Sequence, residues 1–244
     1  MKDLFSQDSA AYAKYRPVYP DALFSHLAAH LLECQNAWDC GTGNGQVAQA
    51  LVPFFDQIFA TDISEKQIEQ AFQHPKINYS LESAEKSSFP DQFFDLIVVA
   101  QAIHWFDFDR FYLEVRRTLK PEGLLLVLGY GLFRATPTID QLIDHFYQDT
   151  IGKYWDPERK YIDENYQTIP FPFREISIPP FQMDTIWNLA DLMGYLNTWS
   201  AVKHFIQDKG FNPTLALAEE LELIWPDKTQ VAINFPLLIR VGRV

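Results

Sequence analysis

The stretch WDCGTGNGQVA, residues 38–48, sets three glycines at alternate positions, Gly41, Gly43 and Gly45, two residues after Asp39. The whole chain of 244 residues holds only ten glycines, so three within five positions mark a backbone that something approaches closely. A short apolar run precedes them and a helical pattern follows. A strand that turns through glycines into a helix presents backbone N–H groups and a positive helix end, which suits a nucleotide-like ligand. The same turn also serves as a tight strand-to-helix connection with no ligand. Dinucleotide binders place a third glycine where this chain has Gln46, so the spacing differs from theirs. A second acidic residue, Asp62, closes the run QIFATD and stands next to Ile63. A carboxylate there can accept hydrogen bonds from two hydroxyls at once, or cap the loop before the next helix.

The surrounding elements must place these groups. NAWDC, QIFATD, INYSLES, FDLIVVA and GLLLVLGY read as five strands alternating with helices, which predicts an open parallel sheet of doubly wound type. FDLIVVA is apolar without alternation, as expected of a strand covered on both faces. Ser64 with Gln67 reads as a capping box, with Ile68, Ala71 and Phe72 turned inward. Asp107 opens the helix that follows the fourth strand. Residues 132–173 break the rhythm with many aromatics and four prolines, and predict an inserted cap. A strand near 174–186, helices over 188–207 and 213–225 and a final strand around INFPLLIRVGRV complete the chain, with Pro236 expected at a bulge or a sheet edge.

The wider sequence resembles the class I S-adenosylmethionine-dependent methyltransferases. The resemblance rests on Asp39 with the alternating glycines, Asp62, and the stretches YAKYRPVYP, SAEKSSFPDQFFDLIVVAQAIHWFD and RRTLKPEG. It points to a small-molecule subgroup similar to trans-aconitate methyltransferase-like proteins. It covers the arm and roughly the first 130 residues, and implies a seven-stranded, mostly parallel Rossmann-like sheet. The implied layout is a single domain with an arm over 1–20, a cofactor-binding half over 21–131, the cap, and a C-terminal part over 174–244.

By that resemblance the glycine turn packs against the methionine part and ribose of S-adenosylmethionine. Asp62, with Ile63 beside it, takes the ribose hydroxyls, Ala84 and Glu85 meet the adenine, and Gln101 faces the amino-acid end. Asp39 orients the glycine loop. Tyr12 and Arg16 close over the cofactor carboxylate, which a guanidinium grips with two parallel bonds. His104, in QAIHWFD, is the candidate catalytic group, as a base or as a hydrogen-bonding partner of an acceptor carboxylate. Trp105 and Trp199 are candidates for the acceptor wall. The implied reaction is in-line methyl transfer to a small organic acceptor, with a carboxylate as one option. Two other readings stay open: a nicotinamide-dependent oxidoreductase on a similar sheet, and a non-catalytic cofactor-binding protein.

Composition bounds the partners. The net charge of −12 argues against nucleic acid and anionic membranes. No window is long and apolar enough for a membrane span, and the start lacks the basic and apolar run of a signal peptide. Cys34 and Cys40 are spaced neither as a zinc pair nor as a redox motif, and predict reduced thiols in a cytoplasmic protein. No metal-spaced cluster is visible, and a monomer or weak dimer is expected.

Overall fold

The computed structural model describes residues 15–225 and 230–244. Seven strands form one sheet in the order β3-β2-β1-β4-β5-β9-β6. The parallel part comprises β1 (Asn36–Cys40), β2 (Gln57–Asp62), β3 (Ile77–Leu81), β4 (Phe94–Ala100) and β5 (Leu119–Tyr130). β9 (Leu237–Arg243) joins antiparallel to β5, and the two-residue β6 (Arg174–Glu175) pairs antiparallel with β9. The expected open, mostly parallel sheet is the one observed.

Both faces of this sheet are buried, as the unbroken apolar runs require. Along β4, Leu96 and Val98 enter one core cluster while Ile97 and Val99 enter the other. The first face is covered by α1 (Asp21–Ala28) through Leu23, Phe24 and Leu27, and by α2 (Gln46–Leu51) through Val47, Ala48 and Leu51. The second is covered by α4 (Phe108–Thr118), whose Phe111 and Val115 are fully buried. Asp107 caps α4 as expected, accepting a hydrogen bond from the Arg110 N–H at 3.2 Å.

Three local expectations are corrected. The short α3 (Glu65–Glu69) starts at Ser64 with no side-chain cap bond, and it stops before Phe72, which is 40% exposed rather than inward. The predicted helix over 188–207 is two helices, α7 (Leu189–Asn197) and α8 (Ser200–Lys209), broken at Thr198 and the deeply buried Trp199. Pro236 lies in neither ladder. It separates β8 (Val231–Asn234), paired with β7 (Asp184–Trp187) in a small second sheet, from β9 in the main one. Its carbonyl accepts a bond from the Gly131 N–H at 2.9 Å.

Residues 132–173 carry more helix than their composition announces. Thr136 caps α5 (Pro137–His145), which buries Ile139 and Ile143. A wide turn over Phe146–Thr150, short turns at Gly152–Tyr154 and Pro157–Arg159, and α6 (Lys160–Asp163) follow. α9 (Thr214–Ile224) packs against α5 and α7.

Candidate active site

At the carboxyl ends of β1, β2 and β4 the chain opens a cleft of about 960 Å³. Its floor is the glycine turn. Gly41, Gly43 and Gly45 all hold positive φ, at 72°, 55° and 82°. Their surroundings differ. A Cβ on Gly41 would stand 2.8 Å from the Cβ of Ala102, and one on Gly45 would run into the Tyr79 hydroxyl. A Cβ on Gly43 would have nothing nearer than the Gln67 Oε1 at 4.0 Å. Two of the glycines are therefore required by neighbouring protein, and Gly43 leaves room for something else. Gly45 does not line the cleft, whereas Gly41 and Gly43 do.

Two carboxylates hold this turn. Asp39, 1% exposed, accepts from the Thr42 hydroxyl at 2.5 Å and from the Ala48 N–H of α2 at 2.9 Å. Burial pushes its carboxyl up to about 7, partly countered by those two bonds, with the Asp62 charge adding a smaller push in the same direction. Asp62 accepts from the Gly43 N–H through Oδ2 and from the Ser64 N–H through Oδ1, each at 2.9 Å. Those bonds occupy two of roughly four acceptor positions, so the carboxylate retains capacity toward the cleft. The loop-capping and ligand-binding readings of Asp62 are compatible.

Gln101, just past β4, takes a positive φ of 52°, uncommon for a residue with a side chain. Its backbone N–H bonds to the Leu128 carbonyl at 2.8 Å and its side-chain amide to the Tyr130 carbonyl at 3.0 Å, which locks the turn. Arg16 donates from Nη1 to the Tyr130 hydroxyl at 2.9 Å, with its guanidinium 5.2 Å from the ring centre of Tyr195. Both residues line the cleft, as do Ile63 and Trp105.

A second cleft, of about 520 Å³, adjoins the first and shares Arg16, Gln101 and Trp105 with it. Its further walls are His104, Trp155, Asp156, Arg159, Ile162, Trp199 and Ser200. His104 is 7% exposed and lies 3.3 Å through Nδ1 from the Tyr166 hydroxyl. Burial first, and the Arg159 charge second, hold its pKa down at about 3, so the imidazole is neutral. Trp199, 3% exposed, packs edge-on to Tyr147 and Tyr195 and tilted against Trp155.

The structure thus gathers Arg16, Asp39, Gly41, Gly43, Asp62, Ile63, Gln101 and Trp105 around one cleft, and His104 and Trp199 around its neighbour. Ala84 and Glu85 lie outside both sets of walls. Ala84 is buried, and the Glu85 carboxylate accepts from the Ser83 hydroxyl and from the Asp107 N–H. Tyr12 falls outside the described residues. Sequence reasoning did not single out Asp156 and Arg159, which fall within the expected cap in WDPERKY. It also passed over Tyr166, whose link to His104 spans 62 positions. Among the described residues no group of histidines, cysteines and carboxylates is placed to hold a metal, and no helix is long and apolar enough to cross a membrane.

Comparison with known proteins gives these clefts a context. A family model described as a methyltransferase domain matches residues 38–127, the glycine turn through β5. A protein of Dictyostelium discoideum assigned as a methyltransferase is 35% identical over 249 aligned positions, covering 99% of this chain and 95% of its own. A solved structure from Anaeromyxobacter dehalogenans, assigned as a type II methyltransferase, superposes with a TM-score of 0.88 at 37% identity, covering 94% of this chain and 98% of its own. A Bacillus halodurans structure with a methyltransferase assignment, 20% identical, shares the fold at a TM-score of 0.52, with 91% and 97% of the two chains covered. With the cradle at Gly43 and the acceptor capacity of Asp62 both fitting the group, the chain belongs to the class I S-adenosylmethionine-dependent methyltransferases and uses S-adenosylmethionine as its cofactor.

Proposed function

We propose that the chain methylates a small acidic or polar organic acceptor, with the cofactor in the glycine cleft and the acceptor in the aromatic cleft beside it. The observation that carries this reading is the junction of the two clefts, where Arg16, Gln101 and Trp105 belong to both. When bound, S-adenosylmethionine supplies a methyl group on a positively charged sulfur that leaves as a neutral thioether. The protein must then align an acceptor atom within roughly 3–3.5 Å of that methyl and exclude water, with no covalent role of its own.

In this reading Asp62 takes the ribose hydroxyls, Gly43 admits the cofactor backbone-close, and Arg16 meets the cofactor carboxylate. Asp39 acts behind the turn, fixing α2 to β1. Ala84 and Glu85 sit on the adenine side only if the loop after β3 moves toward the cleft. His104 positions the acceptor and Trp105 walls the methyl site. The neutral imidazole of His104 favours hydrogen bonding over proton abstraction, since a group with a pKa of about 3 is a weak base. Calorimetry with S-adenosylhomocysteine, followed by methyl-transfer assays over a panel of small acids, tests the reading. Micromolar binding with no binding of NAD or NADP is expected. An acceptor that proves to be a protein or nucleic acid would overturn it.

A further inference from the structure

Arg159 is one of two arginines on the walls of the aromatic cleft, and the one that the glycine cleft does not share. It belongs to the turn Pro157–Arg159, and its side chain is 19% exposed. Its guanidinium lies 4.7 Å from the ring centre of Trp155 and 5.4 Å from that of Tyr147. Among the described residues only its Nε makes hydrogen bonds, donating to the Tyr147 hydroxyl at 2.8 Å and, more weakly, to Asp163 Oδ1 at 3.4 Å. Neither terminal nitrogen has a hydrogen-bond partner among the described residues. A guanidinium fixed by its inner nitrogen and stacked on an indole leaves its outer pair as a preset fork, the geometry that matches a carboxylate.

Across the same turn stands the opposite charge. The Arg159 N–H bonds to the backbone carbonyl of Asp156 at 2.9 Å, yet the two side chains form no ion pair. Asp156 Oδ2 is buried with no hydrogen-bond partner. A buried carboxylate oxygen without a donor is costly unless a ligand supplies one. Both residues line the cleft with His104, Trp155 and Trp199. A cation and an anion facing one cleft without neutralising each other mark a place for a ligand that carries both an acceptor and a donor.

We propose that Arg159 is the specificity-determining residue of the acceptor cleft, gripping a carboxylate of the acceptor with its two terminal nitrogens, while Asp156 takes a hydroxyl or ammonium beside that carboxylate. This rests on the placement of the acceptor in the aromatic cleft. It narrows the acceptor from an acidic or polar molecule to a small hydroxy or amino acid whose gripped carboxylate is remote from the methyl-receiving atom.

Binding can be followed without turnover. The indole N–H signals of Trp105, Trp155 and Trp199 are recorded by NMR on protein loaded with S-adenosylhomocysteine, during titration with 3-hydroxybenzoate, benzoate and the amides of both. The acids are expected to shift the Trp155 signal and to bind at least tenfold more tightly than the amides, with 3-hydroxybenzoate ahead of benzoate. Arg159→Gln should abolish the preference for acids, and Arg159→Lys should retain part of it. Asp156→Asn should close the gap between the two acids. Affinity for S-adenosylhomocysteine should stay within twofold in all three variants, which also shows that each is folded. Equal binding of acids and amides, or a preference that survives Arg159→Gln, would overturn the proposal while leaving the cofactor reading intact. Wild-type protein that fails to bind S-adenosylhomocysteine would instead strike the cofactor reading, and this proposal with it.

Discussion

The two adjoining clefts are built by opposite means. The glycine cleft is made of backbone: positive-φ turns at the ends of strands, N–H groups held by Asp62, and a helix tethered by Asp39. The aromatic cleft is made of side chains brought from three separate segments, His104 after β4, Trp155 and Arg159 in the run of turns after α5, and Trp199 between α7 and α8. A backbone cradle is specified within a few residues, and it recognises a part of the ligand that never varies. A side-chain cleft is specified by tertiary packing and can be re-lined by substitution without touching the sheet. In the proposed reading this division separates cofactor from acceptor recognition, an arrangement by which one fold can host many reactions.

Four measurements would break or sharpen this contrast. The largest effect is expected at Asp62, which holds the glycine turn and, in the proposed reading, also takes the ribose hydroxyls. Asp62→Ala should weaken S-adenosylmethionine binding by more than a hundredfold in calorimetry, about 3 kcal/mol, the order of two hydrogen bonds to a charged group. An unchanged affinity would remove Asp62 from the ribose site. His104→Ala should strike the other cleft alone, lowering turnover tenfold to a thousandfold, about 1.4–4 kcal/mol, while the cofactor affinity holds. The wild-type rate should show no rise between pH 6 and 7 of histidine origin. A limb there that vanishes in His104→Ala would make His104 a base.

Smaller effects separate the glycines. Gly45→Ala meets the Tyr79 hydroxyl and a positive φ, and should cost about 1–3 kcal/mol of stability in urea unfolding. Gly43→Ala meets open space, so strain from φ alone should cost about 1 kcal/mol, with cofactor affinity the more affected quantity. Equal stability losses and equal affinities in the two variants would show that the turn is one packing unit.

The smallest effect is a pH slope. His104 has a folded pKa of about 3, below its unfolded value of 6.5, so its neutral form adds stability above pH 6.5 that is lost as pH falls toward 3. Asp39 acts in the opposite sense: raised from 3.8 to about 7, it adds stability at low pH that is lost as pH rises through 7. Between about pH 4 and 6.5 the two slopes oppose each other, each at most about 1.4 kcal/mol per unit. Urea titrations of wild type and His104→Asn should therefore diverge with rising pH, the variant losing ground by up to about 1 kcal/mol per unit. Parallel curves would mean that His104 titrates normally in the folded protein.

What the sequence made legible follows from the same division. The alternation of apolar runs and helical stripes carried the five parallel strands, most plainly β4 and β5, whose residues are buried almost without a break. Asp107 announced its helix through a local bond to Arg110. The glycine turn was visible, but its inner logic was not: that Gly41 and Gly45 answer to Ala102, Phe106 and Tyr79 depends on residues 34 to 65 positions away. α5 was hidden because Ile139, Leu142, Ile143 and Phe146 sit at helical spacing among so many other aromatics that the stripe lost contrast. The break at Trp199 has no local propensity behind it. It follows from a tryptophan pinned by Tyr147, Trp155 and Tyr195. Arg159 stayed unremarked because the indole and phenol that hold it are recognisable only in three dimensions.

The division of the last run at Pro236 also governs how the molecule can be made. β9 enters the main sheet between β5 and β6, pairing Leu126 with Val241 and Leu128 with Ile239 across roughly a hundred residues of intervening chain. During synthesis the β5 edge therefore stays bare, a row of unmatched N–H and C=O groups on an apolar strand, until residue 243 has left the ribosome. Over that interval a nascent chain carries a nearly complete glycine cradle beside an open edge, and a chaperone has a target at that edge that the finished protein no longer offers.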